Sequence, residues 1–285
     1  MIVNHLRFKI YFGSSQDALS KSLDCIPSST PLAGNEKFFS VSQKLGIDTM
    51  AFLNQTHSNQ GMIVADCIPA FDADGDFLIT AQQHIGIGVM TADCLPIALY
   101  DTKNHAAAVV HAGWRGSAER IAQEAVKMMQ SSCGSHVQDL KIFFGPSAKV
   151  CCYQVNEEFE KKIEKSWFDT IASQSLTTNG LTIPVRPECS PFDIAQDELR
   201  ERTCPAKPWR RRIEGSNKNI FIRYNNQLYF DLPLFNVLQL QEIGVPEGAI
   251  SIAHNLCTIC DHRFFSYRRQ GQGAGRQMTI ISLHE

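Results

Sequence analysis

The stretch from Gly86 to Gly116 constrains the fold of this chain more than any other. One short apolar run in it leads into Cys94, and a second run, Ala106 to Val110, leads into His111. Runs of this length, bounded by Gly, Asp and Pro, are typical of strands in a largely buried sheet. We therefore expect Cys94 and His111 to lie at the ends of neighbouring strands, where their side chains can meet although 17 positions separate them.

Predicted strands and helices alternate along the chain without an internal repeat. Apolar runs between turn residues predict strands at Leu6 to Phe12, Met50 to Leu53, Gly61 to Val64, Leu140 to Phe144, Ile220 to Tyr224, Gln227 to Phe230, Ala249 to Ala253, Phe264 to Tyr267 and Met278 to Leu283. Helical spacing and capping residues predict helices at Phe38 to Leu45, from Ser117 as N-cap through Met129, after Asn156 as N-cap, and from Pro233 to Leu240. This order predicts one α/β (α+β) domain over residues 1–285, with mixed sheets flanked by helices.

Residues 173–218 differ in composition from the rest of the chain. They hold five prolines, two cysteines and a basic run that includes Arg210-Arg211-Arg212. We interpret the segment as an insertion or flap. The basic run lacks the regular basic face of a nucleic-acid-binding surface. A formal net charge of -2 likewise gives no reason to expect a nucleic acid as partner.

The sequence predicts a soluble cytoplasmic protein. No apolar run approaches the roughly 18 residues that span a bilayer, and the first residues lack the basic-then-apolar order of a secretory signal. We therefore expect most of the ten cysteines to be reduced thiols.

Three residues able to bind a metal or act as nucleophiles follow predicted strands. His57, Cys94 and His111 each stand where a strand gives way to a polar or Gly-rich turn. Imidazole and thiolate are donors that zinc prefers, and a catalytic zinc keeps three protein ligands and an open position. The same residues suit a cysteine hydrolase, with Cys94 as nucleophile, a histidine as base and Asp93 as the orienting group. Both chemistries need a thiolate near imidazole, so the spacing leaves both open.

Two other stretches carry potential metal ligands. His254 to His262 contains a Cys-x-x-Cys with flanking histidines, but four ligands within nine residues would strain one chelating loop. A redox pair would precede a helix, whereas a strand is predicted next, so we interpret the stretch as a loop beside the active site. Asp72 to Asp76 begins like a calcium loop but has no Glu at the twelfth position, which favours a polar turn.

Five motifs together closely resemble the YfiH-like family, whose members have been labelled both multicopper polyphenol oxidases (laccase-like) and purine nucleoside phosphorylases. The motifs are Gln55-Thr56-His57, Thr91-Ala92-Asp93-Cys94-Leu95-Pro96-Ile97, His111-Ala112-Gly113-Trp114-Arg115-Gly116, Gly145-Pro146-Ser147 and Phe264-Phe265-Ser266-Tyr267-Arg268-Arg269. The resemblance extends from about residue 50 to the C-terminus, interrupted by 173–218, and it implies an α/β fold of the YfiH-like type.

The resemblance also implies a chemistry. It implies zinc held by His57, Cys94 and His111, phosphorolysis of adenosine, inosine and methylthioadenosine, and adenosine deamination as a further activity. The partners are then a purine nucleoside and phosphate. The residues expected to contact substrate are Asp93, Trp114, Arg115, Phe265 and Arg268, with Trp114 or Phe265 stacking on the base.

A four-copper oxidase is a poor fit to the composition. Such a centre consumes about ten imidazoles and a cysteine, since imidazole is the usual copper ligand. The chain has nine histidines and no His-x-His pair. A single zinc, or a copper in its place, suits a His₂Cys site.

The chain departs from the family pattern near its N-terminus. The turn Gly13-Ser14-Ser15-Gln16 has no Arg where the family typically carries one, which leaves Arg115, Arg268 and Arg276 as cationic candidates for an anion. The alternatives to the phosphorylase are a laccase-like polyphenol oxidase, a zinc-free cysteine hydrolase and a binding module without catalysis.

Overall fold

The computed structural model describes residues 1–16, 36–65, 71–163 and 220–285. The chain forms two compact units, Met1–Ala148 with Leu232–Glu285, and Lys149–Asp231. The insertion or flap predicted at 173–218 lies outside the described residues, and the single domain over 1–285 stays a prediction. In the described part of the chain, no helix has the length and apolarity that crossing a membrane requires.

The elements are short and numerous. The strands of both units are β1 (Ile2–Asn4), β2 (Phe8–Phe12), β3 (Thr49–Ala51), β4 (Gly61–Ile63), β5 (Phe77–Thr80), β6 (Ile85–Thr91), β7 (Leu95–Asp101), β8 (Ala106–Ala112), β9 (Leu140–Phe144), β10 (Gln154–Val155), β11 (Phe221–Tyr224), β12 (Gln227–Phe230), β13 (Ile250–Ser251) and β14 (Gln277–Leu283). The α-helices with both ends in the described part of the chain are α1 (Glu36–Leu45), α2 (Trp114–Ala118), α3 (Ile121–Cys133), α4 (Leu232–Glu242) and α5 (Tyr267–Gln270), and a further helix begins after Asn156. Single 3₁₀ turns cover Val137–Asp139, Glu247–Ala249 and Gly271–Gly273.

Two mixed sheets form the larger unit. The first has the order β1-β2-β14-β6-β3, antiparallel except where β3 runs parallel to β6. The second has the order β13-β9-β7-β8-β5-β4, with parallel pairs only at its two margins. The predicted fold class, mixed sheets with flanking helices, is confirmed.

The two sheets pack face to face, with helices on their outer faces. Ile10 of β2, Val89 of β6 and Val109 of β8 belong to one buried cluster between the sheets. Side chains alternate across a strand, so Ile280 of β14 faces outward instead, where it packs in a cluster with Leu45 of α1. On the other outer face, α3 packs against β8 and β5.

The smaller unit contains the sheet β10-β12-β11. Its β11–β12 hairpin was predicted around Asn225-Asn226, and both residues adopt the positive φ that a two-residue hairpin turn requires. The Asn156 side chain accepts a hydrogen bond from the Phe159 backbone N at 2.9 Å, which confirms the predicted helix cap.

The helix predicted from Ser117 through Met129 is confirmed from Ile121 onward, but its predicted start at Ser117 is wrong. The structure has α2 and α3 with a break at Arg120, whose φ of 64° is left-handed. Ser117 lies inside α2 and bonds Asn236 of α4. The Arg120 guanidinium bonds Gln123 of α3 and Glu242 of α4, and these contacts stabilise the break. Helical spacing along the sequence does not reveal such a break, because the residues on both sides of it are helical.

Candidate metal site

Three predicted donor residues converge at one end of the larger unit. The ligand atoms of His57, Cys94 and His111 all lie within 4.8 Å of one another. His57 Nε2 is 3.8 Å from Cys94 Sγ, and the two imidazole rings meet edge-on with centroids 4.8 Å apart. His57 is exposed, Cys94 partly exposed and His111 buried, so the group opens toward solvent on one side. The structure thus brings together the trio that the sequence suggested.

The β7–β8 hairpin brings Cys94 and His111 together. Pro96 pairs with His111 and Leu95 with Ala112, which places Cys94 beside the open end of the hairpin. The two residues are close because hairpin pairing aligns the start of β7 with the end of β8. The expectation of neighbouring strands holds for β7 and β8. However, β6, which leads into Cys94, belongs to the other sheet, and Asp93 turns the chain between sheets with a φ of 89°.

His57 lies on a turn that is fixed at both ends. The Gln55 side chain donates to the Met90 backbone O at 2.8 Å and accepts from the Met90 backbone N at 2.7 Å, so the turn is bound to the end of β6. His57 itself has a φ of 62°, an uncommon conformation for a residue with a side chain. Its backbone N donates to Asp76 Oδ1 at 3.0 Å.

Asp76 is a functional candidate that the sequence reasoning missed. Its carboxylate is buried and Oδ1 lies 2.7 Å from His111 Nδ1. Within the acidic turn, Asp72 and Asp74 are exposed and only Asp76 is buried. The turn was interpreted as polar surface, and the sequence held one signal against this: Asp76 directly precedes the apolar run of β5.

The charges of the three groups are coupled. Burial raises the pKa of the Cys94 thiol, but the charge and hydrogen bond of His111, with a smaller effect of His57, outweigh it and bring the pKa to about 6. Burial lowers the pKa of His111, but the Cys94 thiolate and Asp76 outweigh it and raise the pKa to about 9. Hydrogen bonds from His111 and Ser58 hold the pKa of Asp76 far below its ordinary value despite burial.

Gly113 allows the close approach of two donors. A Cβ at this position would lie 3.0 Å from His57 Cδ2 and 3.1 Å from Cys94 Sγ. Both distances are tighter than ordinary contact, so a side chain here would force His57 and Cys94 to move.

Asp93 does not contact an imidazole, in contrast to its expected orienting role. Its Oδ1 accepts from Thr258 Oγ1 at 2.6 Å, and its Oδ2 accepts from Ser266 Oγ at 3.0 Å and from the Arg268 backbone N at 2.7 Å. The carboxylate at His111 is Asp76 instead. Asp93 therefore ties the segment 258–268 to the turn that carries Cys94.

The other residues expected to contact substrate surround this turn. Trp114 and Arg115 follow Gly113 directly, and the Arg115 guanidinium lies 5.2 Å from the centre of the Trp114 ring. Phe265 is half-buried and packs on Gly275, and its backbone bonds the Gln277 side chain. Arg268 is exposed at the first turn of α5, and Arg276 donates to the carbonyls of Ala274 and Gly275.

The stretch His254 to His262 forms turns beside the site, as expected. The strand predicted after it at Phe264 to Tyr267 is wrong, since Ser266 caps the short helix α5 by accepting from the Arg269 backbone N. The side chain of Arg269 donates to the carbonyls of Thr258, Ile259 and Phe264, which gathers the segment into a compact loop.

The donor set suits one metal ion. Two imidazoles and a thiolate are ligands for zinc, and also for copper. All nine histidines lie in the described part of the chain, and only His57 and His111 fall in a group of three or more potential ligands there. The described residues therefore offer no set of imidazoles for a trinuclear copper cluster.

The fold and this donor group define an α/β protein with a His₂Cys group able to hold a metal ion. The chain matches the family of multi-copper polyphenol oxidoreductase laccases over residues 28–183 and 184–284, and it belongs to that family.

Two relatives and one solved structure each match most of the chain. A purine nucleoside phosphorylase of Clostridium acetobutylicum is 26% identical over 96% of this chain and 92% of its own length. An adenosine deaminase from an unknown prokaryotic organism is 29% identical over 85% of this chain and 78% of its own. The crystal structure of the hypothetical protein YfiH of Bacillus licheniformis superposes with a TM-score of 0.69 at 23% identity, covering 97% and 93% of the two chains. That structure shows the fold alone.

Proposed function

We propose that this protein is a zinc-dependent purine nucleoside phosphorylase that acts on adenosine, inosine and methylthioadenosine and also deaminates adenosine. The observation that carries the proposal is the convergence of His57, Cys94 and His111 within 4.8 Å. Relatives named for these two activities support the substrate class. Reducing conditions, which keep Cys94 a thiol, suit a cytoplasmic location.

Different residues have separate proposed roles in phosphorolysis. Cleavage of a glycosidic bond passes through an oxocarbenium-like state, which an incoming phosphate dianion stabilises. Arg115 and Arg268, both exposed beside the Cys94 turn, are the proposed cations for that phosphate. Trp114 or Phe265 would stack on the purine. His57, Cys94 and His111 would hold zinc, which supplies a Lewis acid and lowers the pKa of bound water for deamination.

The test is an assay of metal-loaded protein with inosine, with and without phosphate, in which the products are identified. We expect hypoxanthine and a ribose phosphate only when phosphate is present. The Cys94→Ala variant should lose this turnover, and Cys133→Ala at the far end of α3 should keep it. Phosphate-independent release of the base, or full turnover by Cys94→Ala, would contradict the proposal.

A cysteine hydrolase is the second candidate, because the side chains also form a chain from Asp76 through His111 to Cys94. Asp76 bonds His111 Nδ1, and His111 lowers the pKa of Cys94 to about 6. This is the order of groups that activates a nucleophilic thiol. The two functions differ in their response to a chelator: a hydrolase keeps its activity when zinc is removed, and the proposed phosphorylase loses it.

A further inference from the structure

We propose that Asp76 is the positioning residue of this site, which aims the imidazoles of His57 and His111 at a shared metal ion. The inference rests on the proposed metal site and goes beyond it, because it assigns a role to a buried carboxylate that is not one of the three donors.

One oxygen of Asp76 joins both histidines. Oδ1 lies 2.7 Å from His111 Nδ1 and accepts from the His57 backbone N at 3.0 Å. The first bond fixes the ring of His111, and the second fixes the turn from which the ring of His57 projects. The two histidines are 54 positions apart in the sequence, and their contacts with this one atom fix their positions relative to each other.

The second oxygen holds the rest of the turn. Oδ2 accepts from the Ser58 backbone N at 2.6 Å and from Ser58 Oγ at 2.7 Å, with longer contacts from Thr56 N at 3.2 Å and Thr56 Oγ1 at 3.3 Å. Every one of these partners donates. Only an ionised carboxylate accepts at both oxygens, whereas an amide would turn an N–H₂ group toward one set of donors.

Asp76 is itself held rigidly. Its backbone N donates to the Gln60 O at 2.8 Å and its backbone O accepts from the His111 N at 2.7 Å. It directly precedes β5, where Phe77 pairs with Val110 of β8, so Asp76 lies beside His111 in the same sheet. A carboxylate fixed in this way selects one orientation of the imidazole before any metal arrives.

The consequence is a choice between the two nitrogens of His111. Because Nδ1 donates its proton to Asp76, Nε2 is the nitrogen left for the metal. A carboxylate on the far nitrogen of a ligating histidine fixes its tautomer and raises its basicity. Loss of such a partner typically weakens metal binding by about 10–100-fold.

Asp101 provides the matched control. It is also a buried carboxylate, and it accepts from Lys103 N and from Asn104 N and Nδ2 in the turn that joins β7 to β8. That turn is at the opposite end of the hairpin from Cys94 and His111. Asp101→Asn therefore removes a buried charge and weakens a turn without touching the donors.

The experiment measures zinc affinity by chelator competition for wild type, Asp76→Asn and Asp101→Asn, together with ¹⁵N-histidine NMR of the zinc-loaded wild type. We expect a proton on His111 Nδ1 and zinc on Nε2, about 10–100-fold weaker zinc binding for Asp76→Asn, and wild-type affinity for Asp101→Asn. Zinc on Nδ1 of wild-type His111 would overturn the inference even where Asp76→Asn does not fold.

Two further outcomes separate this inference from the proposed function. If wild type binds zinc at His57, Cys94 and His111 but Asp76→Asn binds it equally well, the inference alone is wrong. If zinc changes the ¹⁵N resonances of neither His57 nor His111 in wild type, the proposed metal site is wrong. Asp76 then has no metal ligands to orient.

Discussion

We expect Cys94 and His111 to form an ion pair between about pH 6 and pH 9 when no metal is bound. Below about pH 6 the Cys94 thiolate takes up a proton, and above about pH 9 His111 loses its proton. Within this range the thiolate is available for metal binding or for reaction with an electrophile.

Alkylation of Cys94 in metal-free protein tests this charge state. We expect the rate of its reaction with iodoacetamide to rise with a midpoint near pH 6, compared with about 8.5 for an ordinary thiol. Peptide-resolved mass spectrometry isolates Cys94 from the other cysteines. The His111→Gln variant should shift the midpoint upward, because burial then raises the pKa of Cys94 with less opposition. An unchanged midpoint in that variant would show that His111 does not control the thiol.

A second prediction concerns the substitution of Gly113. In Gly113→Ala the new Cβ contacts the side chains of His57 and Cys94 too closely. Each of them must then move away from it by a few tenths of an ångström. We expect zinc affinity to fall about tenfold, the lower end of the effect of disturbing the support of a ligand. Gly248→Ala is the control, since a Cβ there meets nothing within 4 Å. Equal zinc affinity in both variants would show that His57 and Cys94 can accommodate a side chain at position 113 without loss of binding.

The three donor residues could be predicted from the sequence, but the carboxylates that hold them in position could not. His57, Cys94 and His111 were recognisable because each is a reactive residue in a short motif at a strand end. Asp76 was not, because its partner His111 lies 35 positions away and no local pattern marks the pair. Asp93 was expected to orient an imidazole because it is adjacent to Cys94 in sequence, but its positive φ turns the backbone there and its carboxylate bonds Thr258 and Ser266.

Asp93 ties the loop 258–268 to the turn that carries Cys94. Three hydrogen bonds to Asp93 connect it to the turn of Cys94, and hydrogen bonds to charged groups contribute about 1.5–3 kcal/mol each. Phe265 and Arg268, which we propose contact the substrate, both belong to this loop.

Asp93→Asn should therefore loosen the loop without unfolding the chain. Asn tolerates the positive φ at this position, but its amide can replace only part of the acceptor function. We expect amide hydrogen exchange across 258–268 to become at least about tenfold faster, which corresponds to the loss of one such bond. Asp101→Asn, which removes a buried carboxylate in the β7–β8 turn away from this loop, should leave exchange across 258–268 unchanged. Equal exchange in both variants would contradict the role of Asp93.

Elements with local signals were predicted correctly, and those set by distant contacts were not. The β11–β12 hairpin and the Asn156 cap follow from residues within a few positions of one another. The break before α3 depends on Glu242 of α4, and the loop at Phe264 depends on Arg269 and on Asp93, far away in the chain. Apolar periodicity does not contain this information.

At the scale of the larger unit, the sequence indicated mixed sheets but not their order. The C-terminal strand β14 lies between β2 and β6, and no short-range pattern specifies these long-range pairings. These pairings matter for the site because they position β6 and the turn that follows it, which leads to Cys94, beside the β7–β8 hairpin.

The family's multi-copper description does not match the imidazoles that this chain offers. The histidines in the described residues supply one His₂Cys group and no imidazoles for a trinuclear centre. One metal ion, held by residues from three separate turns or strand ends, is the arrangement these side chains support.

The measurement that tests this account most directly is the zinc content of wild type and Cys94→Ala, purified in parallel and measured by elemental analysis. We predict that the variant holds one zinc per chain fewer than wild type. Equal zinc content in the two proteins would contradict a metal site at His57, Cys94 and His111.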